Sequence, residues 1–303
     1  MEIETSCFHL NNKLANTELN VEFNGTRLKH NKHPKYLGVT LDRTLSFKKH
    51  LSNVAAKLKT RNNIISKLCG TRWGASAETL RCSVLGLVYS SAEYCAAVWT
   101  NSPHSKLVDV QIHNSLRMIS GTIKSTPTYW LPALCNIPPA HLRRSEALCR
   151  EFRKIQNNPQ LQIHEDIAQL GHRLRSGKPP IQTAAALISN NFHLQDEWAQ
   201  MWQNSVPPGI CSVFHVNQTV PGSTLPRGTW CSLNRIRTEC GVCADSLHKW
   251  GKSETNCCDC GRRQTIRYLA YECEKRQSQC TTTAFLRATP SAVVWIENLD
   301  IKI

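Results

Sequence analysis

The spacing of apolar residues changes near Ser46, and this change constrains the fold more than any other feature of the sequence. Before it, apolar and polar residues alternate over short runs, which is typical of β-strands. After it, apolar residues recur at helical spacing on one stripe. The stripe consists of Leu51, Val54, Ala55, Leu58, Ile65 and Leu68. We therefore expect an α+β chain that is mostly α, with its strands near the N-terminus.

The strand region starts with an alternating run at residues 19–25 that ends in Asn24 and Gly25. Asn-Gly is favoured in two-residue hairpin turns because both positions need a positive φ. The chain should return over residues 26–29. A third short strand is predicted over residues 35–41, after the break that a proline introduces.

Three more helices are predicted after the first. One spans residues 76–99, with Ser76 as its N-cap. Another begins near Pro103, a residue suited to a first turn, and ends at Gly121. The last spans residues 141–156. Helices joined by such short connections predict a small bundle.

We expect four segments: a β-hairpin, a helical bundle, an irregular connector and a small Cys-rich module. Their predicted ranges are 1–42, 43–158, 159–226 and 227–303. The connector contains a Gly- and Pro-bearing run at 170–185 that is typical of a linker. A short helix carrying Trp198 and Trp202 should follow this linker.

The first helix and its flanking residues carry positive charges and no negative ones. Between residues 43 and 72 there are eight Lys or Arg and no Asp or Glu, in a chain whose net charge is +15. The eight are Arg43, Lys48, Lys49, Lys57, Lys59, Arg61, Lys67 and Arg72. Such a helix repels itself unless an anion lies nearby, and a phosphate backbone would supply one. A membrane surface and a plain solvated face are the alternatives.

The sequence has no apolar run of about 18 residues and no N-terminal secretion signal, so we expect neither a membrane span nor secretion. Its 15 cysteines are an odd number, which argues against a disulfide framework. We predict reduced thiols in an intracellular protein, nuclear or cytoplasmic.

Eight of the 15 cysteines lie between residues 231 and 280. In this cluster Cys258 and Cys260 are one residue apart, and Cys273 follows after twelve more residues. Closely spaced thiolates are typical zinc ligands, with bonds of about 2.3 Å. The three cysteines are therefore candidate ligands for a Zn²⁺ ion.

The sequence also resembles a known family, the jockey-like non-LTR retrotransposon reverse transcriptases. The resemblance is carried by the strings YLGVTLD, SFKKHL, KLKTRNN, SAEYCAAVW, LVDVQ, LRMISG, LPAL and NIPP, in that order between residues 36 and 139. It is good over residues 4–144, weak over 150–225, and returns over 235–273. It implies that residues 1–42 are the primer-grip side of the polymerase palm and that the helices of 43–158 are the thumb.

The resembled family has a zinc knuckle with the spacing Cys-x-Cys-x7-His-x4-Cys. The spacing is preserved here, but Tyr268 stands at the histidine position. Neutral tyrosine is a poor zinc ligand because its pKa is near 10. The site could be inactive, could recruit Cys257, His248 or Cys243 as a fourth ligand, or could be a three-thiolate site open to water.

The resemblance implies a nucleic-acid partner, either RNA or an RNA–DNA duplex. The family's Tyr-x-Asp-Asp motif is missing, and no two Asp residues are adjacent, so we expect no magnesium site and no catalytic residue. The hypothesis is a reverse-transcriptase fragment that lacks the catalytic palm and binds nucleic acid. A complete polymerase acting in trans is a further candidate partner. The alternatives are a protein–protein adaptor and a non-functional pseudogene product.

Overall fold

The computed structural model describes residues 3–9, 11, 13–14, 16–70, 73–169 and 179–303. Two compact units are built from interleaved ranges. Unit 1 comprises Met1–Thr60, Tyr89–Ile112 and Ala140–Leu194, and unit 2 comprises Arg61–Val88, His113–Pro139 and Gln195–Ile303. The four predicted segment boundaries stay predictions.

The described residues form a mostly helical fold with a few short strands, which confirms the predicted class. The strands are β1 (Glu4–Thr5), β2 (Glu22–Phe23), β3 (Thr26–Arg27), β4 (Lys29–His30), β5 (Lys35–Tyr36) and β6 (Val39–Thr40). The first α-helices in chain order are α1 (Lys48–Ser66), α2 (Ala77–Val84), α3 (Ser90–Ala92), α4 (Ala96–Trp99), α5 (Lys106–Ser120), α6 (Trp130–Cys135) and α7 (Ala140–Gln156). They are followed by α8 (Ile163–Gln169), α9 (Pro180–Ser189), α10 (Leu194–Ser205), α11 (Pro208–Cys211), α12 (Arg227–Arg237), α13 (Ala244–Lys249), α14 (Ile266–Tyr271), α15 (Thr282–Arg287) and α16 (Pro290–Glu297). Among these described elements, no helix is both long and apolar enough to cross a membrane.

The predicted Asn-Gly hairpin is confirmed. Strands β2 and β3 are antiparallel, and both turn residues have a positive φ, 49° at Asn24 and 71° at Gly25. The predicted strand over residues 35–41 is wrong because it contains a turn of its own. Leu37 and Gly38 also adopt positive φ, so that β5 folds back onto β6. Strand β1 pairs with β4 in parallel.

Helix α1 follows the predicted stripe. Leu51, Leu58 and Ile65, spaced seven residues apart, are fully buried. The carboxylate of Asp42 fixes its start, because it accepts hydrogen bonds from the main-chain N–H groups of Ser46 and Lys48 at 2.8 and 3.1 Å. The stripe ends before Leu68, which lies beyond the helix and is exposed.

The single helix predicted over residues 76–99 is broken. It starts as expected, with the Ser76 hydroxyl accepting the N–H of Thr79 at 3.1 Å. A π-helical segment, Leu85–Tyr89, then interrupts it, and Cys95 adopts a left-handed conformation with φ 51°. A left-handed residue cannot continue a right-handed helix. The side-chain pattern alone did not reveal this break.

The connector is more regular than predicted, because it contains α8, α9, α10 and α11. Part of the predicted linker, residues 170–178, lies outside the described residues. The remainder is wrong from Pro180, which occupies the first turn of α9. Trp198 and Trp202 lie on α10 as predicted, and both are buried.

In unit 1, α7 packs against α4 and α9. Two arginines of α7 form bidentate ion pairs. Arg144 donates to the Asp109 carboxylate at 2.6 and 3.0 Å, and Arg143 donates to Glu93 at 2.5 and 2.7 Å. Bidentate pairs of this kind fix orientation as well as distance. They hold α7 to the neighbouring segments of unit 1.

In unit 2, α12 lies at the centre and packs against α14, α15 and α16. Arg237 of α12 donates to four acceptors, the carbonyls of Pro221, Phe285 and Leu286 and the side chain of Asn234, at 2.7–3.0 Å. Burial lowers the pKa of this guanidinium to about 9, so it is still charged at neutral pH. The carbonyl dipoles stabilise this charge, and among the described residues Arg237 forms no ion pair with an acid.

We expect Arg237→Lys to lower the free energy of unfolding by about 2–4 kcal/mol. The lysine ammonium has three donors and cannot reproduce the planar arrangement in which the guanidinium donates to four acceptors. Urea unfolding monitored by circular dichroism would measure this. Arg287→Lys, at an exposed position of α15, is the matched control and should change stability by less than about 0.5 kcal/mol. Equal stability of the two variants would show that the carbonyl contacts of Arg237 contribute little.

Helix α5 ends at Gly121, as the sequence predicts. Gly121 has φ 70°, and a Cβ added there would lie 2.1 Å from the Cys231 sulfur. Both features require glycine.

Gly121→Ala should therefore destabilise the protein by at least about 2 kcal/mol through backbone strain and overpacking. Thermal and urea unfolding would measure the loss. Gly209→Ala is the control, because nothing lies within 4 Å of a Cβ at that helical position. If both substitutions have the same effect, the close approach of Cys231 to Gly121 is not limiting.

Candidate nucleic-acid interface and metal centre

The N-terminal end of α1 lines a cleft of about 560 Å³ in unit 1. Five basic side chains line it, and this basic cleft is defined by Lys32, His33, Arg43, Lys48 and Lys49. Three of the five, Arg43, Lys48 and Lys49, belong to the cations predicted to contact phosphates. No sequence signal identified the other two, because they come from the strand region and meet α1 only in the fold.

Asp42 is the one acidic residue that lines the basic cleft. It is buried, and its two carboxylate oxygens accept hydrogen bonds from Ser46 and from the main chain of Lys48. Its acceptor capacity is therefore largely used in fixing the loop before α1. Lys32 also has an acidic partner, since its Nζ lies 2.6 Å from Glu18 on the exposed surface. A surface pair of this kind is weak and can exchange for another anion.

The other predicted cations of unit 1, Lys57 and Lys59, are exposed on α1. Residues in a helix turn by about 100° each, so these two side chains point about 200° apart. Lys59 lies within about 20° of Lys48 and about 16 Å further along the axis, on the side of the basic cleft. Lys57 points to the other side. In the part of the chain that the structure describes, Lys48, Lys49, Lys57 and Lys59 form no ion pair with an acid.

Three predicted cations belong to unit 2 or lie outside the described residues. The Arg61 guanidinium donates a short hydrogen bond to the Leu87 carbonyl, so it is engaged by the protein itself. Lys67 is exposed just past the end of α1. Arg72 lies outside the described residues.

The structure brings the three candidate metal ligands of unit 2 together. The sulfur atoms of Cys258, Cys260 and Cys273 all lie within 4.8 Å of one another. Cys273 is 3.8 Å from Cys258 and 4.0 Å from Cys260. The first two come from a tight turn at Gly261, where φ is 86°, and the third follows α14. Three thiols at this spacing could hold a metal ion.

Tyr268, at the position where the resembled family has histidine, faces the same group. Its hydroxyl lies 2.8 Å from the Cys260 sulfur. This hydrogen bond lowers the pKa of the Cys260 thiol to about 7 and raises the pKa of Tyr268 above its usual value. Burial raises the pKa of Cys273. The phenol therefore keeps its proton and acts toward sulfur as a hydrogen-bond donor.

None of the three candidate fourth ligands joins the group among the described residues. The Cys257 sulfur is exposed and contacts Asn256, the Cys243 sulfur contacts Ser246, and His248 is exposed. One neighbour was not predicted. The Nη1 atom of Arg276 lies 3.4 Å from the Cys258 sulfur, and its position three residues after Cys273 gives no recognisable signal in the sequence.

Comparison with curated proteins finds a match to the RNA-directed DNA polymerase from mobile element jockey of Drosophila funebris. The two are 34% identical over 106 residues, which is 33% of this chain and 11% of that protein. No protein-family model and no solved structure matches the chain. The chain therefore contains a region related to a retrotransposon reverse transcriptase, and the match covers about a ninth of the relative's length.

The residues present do not complete the four-ligand zinc site of the resembled family. Structural zinc is almost always four-coordinate and tetrahedral. Here three thiols are in place, and the fourth position faces a protonated phenol that is hydrogen-bonded to one of them.

We expect purified protein to contain less than one equivalent of zinc, and Tyr268→His to raise the zinc content toward one equivalent, because imidazole supplies the missing ligand. Elemental analysis by mass spectrometry would measure both. His248→Ala and Cys257→Ser are controls that should leave the zinc content unchanged. A full equivalent of zinc in the wild type that either control abolished would show that a substitute ligand is in use.

Proposed function

We propose that this chain binds nucleic acid through the basic cleft and the adjoining side of α1, as a relative of retrotransposon reverse transcriptases. The observation that carries the proposal is the imbalance of charge in the cleft. Four Lys or Arg side chains and His33 line it, and the one acid among its described lining residues already accepts several hydrogen bonds from the protein. The proposal assigns binding to these residues and no catalytic step.

The start of α1 adds to the positive potential of the cleft. A helix N-terminus carries about half a positive charge and normally favours acidic residues in its first turn. The first turn of α1 instead carries Lys48 and Lys49 and no acid. The buried Asp42 carboxylate supplies one negative charge at this helix start, where it accepts the main-chain N–H of Lys48, and the two lysines exceed it in charge. A phosphate group has the charge and the acceptor oxygens to bind beside them.

The spacing of the cations suits an extended strand of phosphates. Lys48 and Lys59 lie on one side of α1, about 16 Å apart, so a backbone that enters the basic cleft could continue along the helix. The cleft itself, at about 560 Å³, has room for a nucleotide-sized group and not for a whole duplex. We therefore propose RNA, single-stranded or as one strand of an RNA–DNA duplex, as the partner.

Salt-dependent binding tests this proposal. We expect fluorescence anisotropy with labelled RNA and with an RNA–DNA duplex to show binding at about 50 mM salt. The affinity should fall linearly with the logarithm of salt concentration. Lys48→Gln should reduce the slope by about one, because one phosphate contact is lost.

Lys57→Gln is the matched control, since Lys57 is also exposed and points about 180° away from Lys48 on the same helix. It should change the slope much less than Lys48→Gln. Equal effects of the two substitutions would mean that net charge alone drives binding. No binding of either probe at about 50 mM salt would contradict the proposal and leave a protein–protein adaptor as the better candidate.

A further inference from the structure

We propose that the Cys258–Cys260–Cys273 group binds one soft monovalent metal ion of the Cu(I) class through three sulfur ligands, in preference to Zn²⁺. This inference concerns a site of unit 2 and is independent of the proposed nucleic-acid binding. It follows from what occupies the fourth position of the group.

The distances between the sulfur atoms do not select the metal. With a metal–sulfur bond of about 2.3 Å, sulfurs at the corners of a tetrahedron lie about 3.8 Å apart, and sulfurs in a trigonal plane lie about 4.0 Å apart. The observed separations of Cys273 from Cys258 and Cys260, 3.8 and 4.0 Å, are compatible with either arrangement. The number of ligands must therefore decide.

The fourth position disfavours zinc. Tyr268 is buried there, and its hydroxyl lies against the Cys260 sulfur at 2.8 Å. Among the described residues, no His, Asp or Glu and no other Cys lies within ligand distance of all three sulfurs. Zinc in structural sites takes four ligands, whereas soft thiolate ligands select Cu(I). A trigonal ion bound to three sulfurs needs no fourth donor.

The surroundings suit an anionic sulfur site. Cys258 and Cys273 are almost fully buried and Cys260 is partly buried, so a bound ion would be shielded from water on the side of Cys258 and Cys273. The Arg276 guanidinium lies 3.4 Å from the Cys258 sulfur and is fixed by Asp259 and Asp300 at 2.6 and 2.7 Å. Charge-assisted hydrogen bonds of this type stabilise a thiolate.

Metal competition tests the proposal. Reduced full-length protein would be titrated with Cu(I) against bathocuproine disulfonate, and in parallel with Zn²⁺ against a chromophoric chelator. We expect one Cu(I) to bind more tightly than any further equivalent and zinc to be held at less than one equivalent. X-ray absorption of the one-copper form should show three sulfur neighbours.

Substitutions separate this group from the other twelve cysteines. Cys260→Ser should weaken the first Cu(I) equivalent by more than about 100-fold, which exceeds the usual effect of an indirect neighbour. Cys257→Ser is the matched control, because it replaces an adjacent exposed thiol, and it should leave the affinity for the first Cu(I) equivalent unchanged. Tyr268→His should shift the preference toward zinc, and this arm remains informative if Cys260→Ser fails to fold.

Three results would overturn the inference. One is a wild-type protein that binds a full equivalent of zinc with four protein ligands. The second is a first Cu(I) equivalent that survives in folded Cys260→Ser. The third is a Tyr268→His variant with unchanged metal preference.

Discussion

Unit 2 depends on three arginines of α12 that bind main-chain carbonyls. Arg227 donates to the carbonyls of Gly70, Met118 and Ile119 at 2.5–3.0 Å. These acceptors lie in all the earlier ranges of unit 2, so one side chain joins segments more than 100 residues apart. The carbonyls at the C-terminal end of a helix have no helical partner and carry partial negative charge. A guanidinium satisfies several of them at once.

Arg235 and Arg237 repeat the same interaction. Arg235 donates to the carbonyls of Gly121 and Ile303, and burial lowers its pKa. Together the three arginines bind the ends of α5 and α15, while α12 packs against α14 and α16. Helix α14 carries Tyr268 and leads to Cys273. The sulfur group is therefore built on a helix that packs against α12, the helix that carries the three arginines.

Local signals in the sequence predicted local structure well. Asn24–Gly25 gave the hairpin, Ser76 the start of α2, and Gly121 the end of α5, because each of these residues acts through its own backbone or its nearest neighbours. The wrong predictions lie where a contact with a residue distant in the sequence determines the local backbone conformation. The turn at Leu37 is stabilised by the Tyr94 hydroxyl, 57 residues away, which donates to the Leu37 carbonyl at 2.9 Å.

The candidate sites show the same limit. The spacing of Cys258, Cys260 and Cys273 identified three thiols that the fold brings together, since two of them share a turn and the third follows a short helix. Arg276 could not be predicted from the sequence, because only tertiary structure turns its side chain to Cys258. Lys32 and His33 could not be predicted either, because the strand region and α1 form one cleft only after folding.

The arginines of α12 also change the meaning of the net charge. A count of +15 suggests a broad polycationic surface. Three of those charges, however, are buried on α12 against carbonyls, and Arg143 and Arg144 are paired with acids in unit 1. Such cations cannot release counterions from a phosphate backbone, because they are already engaged by the protein. Among the described residues, the exposed cations of α1 that lack an acidic partner are few. Of these, Lys48 and Lys49 line a cleft with further basic residues, and Lys59 lies further along the helix on the side of Lys48. Position on α1, and not total charge, is therefore the better guide to where a polyanion would bind.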